Sequence, residues 1–320
     1  MTFEERYRNA VEALFREDIT GFAEGKTFCL GGGKRLRPQL LLDAADAWGA
    51  DTEDAGHAAV GVELLHQYFL IHDDIMDGDD LRRDQPTLHR AVAMRFGDAW
   101  GTGVALAVGD HVSNEAFRLF AASSPNPATA LAVCRLATDV TEETIAGQLR
   151  EYVTQTAWTR KDLEQFYCYK TAAYSFRLPL MIADILDGTD AARVMDIESA
   201  ARDLGVAYQF HDDLIEFRGE KRRAEAGGGD IARGKMTIVL RLILDAMEAG
   251  ERERLLLEWK ASGRIGEERV QELREFAHRR HILEDVTSMI ASKVAAALPI
   301  LQRLRIADAP SVRMLLEFFR

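Results

Sequence analysis

The chain has 320 residues, 47% hydrophobic and 29% charged, with 24 Gly and 7 Pro. That composition excludes a disordered tail, a collagenous repeat and a small disulfide scaffold, and the length is ample for one large core. A net charge of −12, from 52 acidic and 40 basic residues, argues against generic nucleic-acid binding, so an anionic ligand would need locally gathered cations or metal ions.

In chain order, MTFEERYRNAVEALFRE mixes acidic residues with no long apolar run and does not read as a secretory signal. Nowhere does the sequence approach the ~20 apolar residues of a membrane span. Next, Gly31-Gly32-Gly33-Lys34-Arg35-Leu36-Arg37-Pro38 sets Lys34 and Arg37 behind a glycine turn. Such a turn can bare backbone donors and arginine forks to phosphate oxygens, although the P-loop spacing is missing. After a break at Gly49–Thr52, Val62, Leu65, Phe69 and Met76 recur at helical spacing from Ala58 to Asp77. Ser123–Pro127 reads as a loop, because its two prolines lack donors and restrict their predecessors. Ala128–Val153 and Val194–Phe217 are again helix-like, with a turn at Asp187–Asp190. Arg218–Gly234, holding Gly227-Gly228-Gly229, reads either as a solvated loop or as a mobile flap that brings Lys235 to an anion. Alternating strands are absent. The expectation is one all-α domain over residues 1–320, with about ten or more helices. Cys29, Cys134 and Cys168 lack metal-ligand spacing, which points to reduced thiols in a cytoplasmic protein.

Two acidic clusters interrupt apolar helices. Asp73, Asp74 and Asp77 close the first, and Asp212, Asp213 and Glu216 lie in the second, after Gln209. Carboxylates four residues apart share a helical face and repel, and a helix C-terminus adds an unfavourable dipole. A divalent cation between them reverses that balance. Mg²⁺ prefers hard oxygen ligands and usually shares its shell with substrate phosphates, so a diphosphate ligand is implied. Each cluster taken alone also reads as a solvated helix end. Arg82, Arg83, Lys170-Thr171 and Lys235 add basic points.

In combination, GGGKRLRP, HxxxxxxDDIMD followed by Arg82-Arg83, KT, QFHDDLIE and GDIARGK resemble the trans-isoprenyl diphosphate synthases, the polyprenyl synthetase family, and closest its short-chain farnesyl and geranylgeranyl members. The resemblance implies a single-domain, all-α isoprenoid synthase bundle around a deep central cavity, usually a homodimer. It implies condensation of isopentenyl diphosphate with an allylic diphosphate, with about three Mg²⁺ neutralising the leaving pyrophosphate. Asp73, Asp74 and Asp77 would bind metal on one wall, and Asp212, Asp213 and Glu216 on the other. Arg82, Lys170 and Lys235 would hold the allylic diphosphate, whereas Lys34, Arg37, His66 and Arg83 would hold isopentenyl diphosphate. Thr171 and Gln209 would line the path of the allylic cation.

The sequence departs from the family pattern twice. Glu216 stands where Asp is usual, and Glu225 and Ala226 stand where the flap usually carries Lys; Arg222 or Arg223 could substitute. Tyr68 and Phe69, one turn before Asp73, resemble the bulky cavity floor of short-chain members and imply a fifteen-carbon product, with twenty- and ten-carbon products as alternatives. A terpene cyclase is opposed by GGGKRLRP and Arg83, since it needs no second diphosphate site. A catalytically silent partner subunit is opposed by the intact first acidic motif.

Overall fold

The helical spacing read from the sequence is realised in the computed structural model, which describes residues 1–151, 158–219, 230–232 and 235–319. In chain order come α1 (Phe3–Leu14), α2 (Phe22–Leu30), α3 (Leu36–Trp48), α4 (Thr52–Asp77), a hairpin of β1 (Leu81–Arg82) and β2 (Gln85–Pro86), α5 (Leu88–Phe96), α6 (Asp98–Ala121) and α7 (Pro127–Glu151). They are followed by α8 (Arg160–Tyr167), a π-helix (Cys168–Arg177), α9 (Leu178–Asp187), α10 (Ala191–Phe217), α11 (Ile238–Ala246), α12 (Ala249–Ser262), α13 (Glu267–Arg279), α14 (Ile282–Arg303) and α15 (Pro310–Phe318). The fold is all-α, and among the described residues the hairpin is the only sheet. The Gly227–Gly229 flap, Arg222, Arg223, Glu225, Ala226 and Val153 lie outside the described residues. Among those described, no helix is long and apolar enough to cross a membrane.

The chain divides into two compact units. The first comprises Met1–Asp139, Leu178–Met195 and Asp308–Met314. Its axis is α4, in which every residue from Ala58 to Gln67 is buried. A helix that is apolar on all sides needs neighbours on all sides, and α4 packs against α1, α3, α5, α6 and α9. Asp51 caps its start by accepting from the backbone N–H groups of Glu53 and Asp54, and Gly78 ends it in the left-handed region at φ 65°. Helix α6 runs antiparallel to it, with Gly61 against Phe120 and Gly109 against His72. A Cβ on Gly61 would lie 2.8 Å from Phe120 Cε1, and one on Gly109 would lie 2.6 Å from the His72 ring. The two glycines therefore set how close the helices come.

The second unit comprises Val140–Arg177, Asp196–Ala307 and Leu315–Arg320. The apolar faces of α8, α10, α11, α13 and α14 bury Leu163, Phe210, Leu214, Ile238, Ile243, Leu273 and Val286 in its core. Here too glycines bring backbones together. A Cβ on Gly147 of α7 would lie 3.1 Å from Lys170 N, and one on Gly205 of α10 would lie 2.2 Å from Ala172 Cβ, so both helices press directly on the π-helix.

Candidate active site

In the first unit, the acidic end of α4 and the hairpin that follows it form one assembly. Asp73 and Asp77 are partly exposed, whereas Asp74 is fully buried. The Arg82 Nε donates to Asp74 Oδ1 at 2.8 Å and Oδ2 at 2.9 Å, and its Nη2 lies 2.6 Å from Oδ1. The same Nη2 is 3.7 Å from Asp73 Oδ2. Successive residues on a helix point about 100° apart, and here Asp74 is turned into the protein while Asp73 keeps access to solvent. Both oxygens of Asp74, expected from the sequence to bind metal, accept from Arg82. The hairpin turn places Arg83 at φ 52° and Asp84 at φ 62°, the pair of left-handed residues that a tight two-residue turn requires.

Cations gather beside this end. The Arg83 guanidinium lies against Gly33, where a Cβ would approach it to 3.0 Å. Arg83 makes no ion pair among the described residues, and desolvation, then Arg82 and Arg35, depress its proton affinity. Arg37 Nη1 sits 3.2 Å from His66 Nε2. A guanidinium can only donate, so His66 accepts and its imidazole is neutral. Its pKa is correspondingly held well below the ordinary value, by burial first and then by Arg37, Arg83, Arg82 and Arg35. Arg35, absent from the sequence-derived site, anchors the loop: it pairs with buried Glu63 at 2.5 Å and stacks 4.5 Å over Tyr7. The signal for this was a glutamate inside the otherwise apolar run AAVGVELL. Lys34 is exposed. A cavity of about 400 Å³ in this unit is lined by Gly31, Gly32, Gln67, Arg82 and Arg83 at a polar end, and by Phe28, Leu70, Leu88 and Ala91 elsewhere. Tyr68 and Phe69 are half-buried with ring centroids 5.1 Å apart, and Tyr68 also leans on His72.

In the second unit a hydrogen-bonded chain links the π-helix to α10 and α11. Thr171 Oγ1 donates to Gln209 Oε1 at 2.8 Å, and Gln209 Nε2 donates to Asp213 Oδ1 at 3.0 Å. Asp213 Oδ2 accepts from the Tyr167 hydroxyl at 2.6 Å and from the Ile238 backbone N–H at 3.0 Å. Burial pushes the Asp213 pKa up to about 7, against the hydrogen bonds that favour its charge. Asp213, also expected from the sequence to bind metal, anchors the start of α11 from inside the core. Asp212 beside it is partly exposed, while Glu216 is buried and accepts from the Asp230 N–H through Oε1 at 2.5 Å. Lys170 and Lys235 both approach Glu151, a residue that no motif singled out.

Among the described residues, no three acidic or imidazole side chains converge into a ready metal cage. Asp73 with Asp77, and Asp212 with Glu216, offer hard oxygen donors one helical turn apart. That donor set fits Mg²⁺, which commonly takes one or two carboxylates and completes its shell with water and phosphate.

The family profile for polyprenyl synthetase matches residues 24–276. A farnesyl diphosphate synthase of Geobacillus stearothermophilus is 32% identical over 242 residues, covering 73% of this chain and 77% of its own. A geranylgeranyl pyrophosphate synthase of Geoglobus acetivorans is 30% identical over 263 residues, covering 81% and 77%. The crystal structure of geranylgeranyl pyrophosphate synthetase from Pyrococcus horikoshii matches with a TM-score of 0.81 at 25% identity, over 98% of this chain and 94% of that one.

Proposed function

The chain belongs to the polyprenyl synthetase family, and on that premise we propose that it joins isopentenyl diphosphate head to tail to an allylic diphosphate and releases pyrophosphate. One observation supports this above the others: Arg37, Arg82 and Arg83 gather around a neutral His66 near the acidic end of α4, and among the described residues Arg83 has no carboxylate partner. Like charges are not collected for stability, and a polyphosphate would reward the arrangement. Lys34, Arg37 and Arg83 bind the isopentenyl diphosphate, and His66 acts through Arg37 by accepting its N–H. Arg82, Lys170 and Lys235 bind the allylic diphosphate.

Asp73, Asp77 and Asp212, assisted by Glu216, hold about three Mg²⁺, whose chemistry is to neutralise the departing diphosphate. Asp74 fixes Arg82 so that its charge stays beside Asp73. The Thr171 hydroxyl spends its proton on Gln209, so its oxygen presents an acceptor dipole to positive charge developing on the allylic chain. The Gln209 amide cannot turn over without breaking its bonds to both Thr171 and Asp213.

Tyr68 and Phe69 set a floor that favours the fifteen-carbon product. Relatives named for the twenty-carbon product favour that length as the second reading. Met94, Phe96, Trp100 and Leu106 leave α5 and α6 as large exposed apolar side chains, which supports a homodimer. Incubation with Mg²⁺ and five-, ten- or fifteen-carbon allylic diphosphates, with and without isopentenyl diphosphate, tests the function by chromatography. Hydrocarbon formed without the second substrate, or no prenyl product with it, rejects the transferase.

A further inference from the structure

Glu151 ends α7 beside two of the cations assigned above. Its side chain is 9% exposed, yet it serves two ammonium groups: Lys170 Nζ lies 2.5 Å from Oε2 and Lys235 Nζ lies 3.8 Å from Oε1. The lysines are themselves largely enclosed, with Lys235 also 3.8 Å from Asp230 Oδ1 and Lys170 lying 5.8 Å over the Phe166 ring. The approach is built into the backbone. Gly147, one turn before Glu151, lets the π-helix close on α7, and Arg150 stacks 4.8 Å over Tyr169 next to Lys170.

We propose that Glu151 is a positioning residue that holds the Lys170 and Lys235 ammonium groups together as a pair for the allylic diphosphate. The inference rests on the diphosphate role given to those lysines above. An ammonium group carries three donors. Glu151 engages the ammonium groups of both lysines at once, one through each carboxylate oxygen. Without it, the two cations repel and their four-carbon stems must be ordered by the ligand itself. Ordering two such side chains weakens binding by about 10- to 100-fold.

Calorimetric titration with Mg²⁺ and inorganic pyrophosphate reads this site without turnover. Glu151→Gln keeps the shape of the side chain and removes its charge. It is expected to weaken pyrophosphate binding about 10-fold and to raise KM for the allylic substrate, with KM for isopentenyl diphosphate within about twofold of wild type. Tighter binding in Glu151→Gln would mean that the carboxylate merely competes with the ligand, and overturns the proposal. In a Lys170→Met/Lys235→Met background the same substitution is expected to change nothing further, and an undiminished effect there overturns it as well. Glu151→Asp, which folds with the charge retained, should recover part of the affinity; equality with Glu151→Gln counts against the positioning role. An active enzyme whose pyrophosphate affinity ignores Glu151 defeats this inference alone. A chain that binds pyrophosphate through these lysines but forms no prenyl product defeats only the functional reading, and one that binds no pyrophosphate defeats both.

Discussion

Asp73 and Asp74 are neighbours in sequence with opposite assignments, and alanine substitution should separate them. Asp74→Ala leaves Arg82, whose side chain is only 16% exposed, without the carboxylate that takes both its Nε and Nη2. Stranding one partner of a buried pair costs about 3–5 kcal/mol. Since Arg82 keeps a partial route to water, the lower end applies, about 3 kcal/mol. At about 2–3 °C per kcal/mol for a chain of this size, the melting temperature should fall by roughly 6–9 °C. Asp73→Ala removes a 3.7 Å contact from a carboxylate 29% exposed, worth about 1 kcal/mol at most, and also relieves repulsion with Asp77. Its melting temperature should stay within about 2 °C of wild type, while turnover falls by about 100-fold or more, as loss of a group that stabilises developing charge does. Thermal melts in EDTA, paired with steady-state rates in Mg²⁺, make the comparison. Asp74→Leu with Arg82→Met should regain most of the lost stability, because a well-packed apolar pair replaces the ionic one. Equal melting losses for Asp73→Ala and Asp74→Ala, or a wild-type melt for Asp74→Ala, would refute the division of labour.

Phe69→Ala opens the proposed floor and should shift the product distribution to longer chains on chromatography; an unchanged distribution places the limit elsewhere. Asp213, with a folded pKa of about 7 against 3.8, binds its proton more tightly in the folded chain. Stability from this group is therefore complete below about pH 4 and is lost as pH rises through about 7, on the order of 4 kcal/mol over the window. Melts from pH 4 to 8 in EDTA should show that decline in wild type and a flatter profile in Asp213→Asn; parallel profiles would remove Asp213 from the account. Gly61→Ala forces a Cβ to 2.8 Å from the buried Phe120 ring and 3.2 Å from the Ala116 carbonyl. It should destabilise by about 1–3 kcal/mol in denaturant titration, and a neutral result would show that α4 and α6 can part without penalty.

The helices were legible because apolar spacing survives in any packing. Thr52–Asp77 and Ala191–Phe217 end where the sequence places them and differ only in starting earlier, at caps or turns without an apolar signal. The hairpin was not legible: its turn uses Arg83 and Asp84 at positive φ, without the Asn-Gly or Asp-Gly pair that usually marks such a turn. Glu151 was invisible for a different reason. It belongs to no motif, and its meaning comes from lysines brought to it by glycine-mediated packing, one of them 19 residues away. The inward turn of Asp74 and Asp213 could have been read. Asp73 and Asp77 share a face by their four-residue spacing, and Asp74 sits about 100° round the helix from Asp73, towards the buried α4 interior.

The burial of Asp74 and Asp213 gives the doubled aspartate a physical sense in both motifs. At the end of α4, the inward Asp74 fastens the hairpin that carries Arg82. In α10, the inward Asp213 fastens the backbone of Ile238, three residues after Lys235, and orients Gln209 on its other oxygen. On the proposed reading, one carboxylate of each pair is presented for a ligand, and its neighbour is buried against the segment bearing a cation assigned to that ligand. The inward charge is costly in isolation, as the raised pKa of Asp213 records. On that reading it persists because an outward aspartate without a fixed cation beside it would hold its diphosphate loosely. Repacking the inward pair with apolar residues can therefore restore stability without restoring turnover, whereas a purely structural pair would restore both.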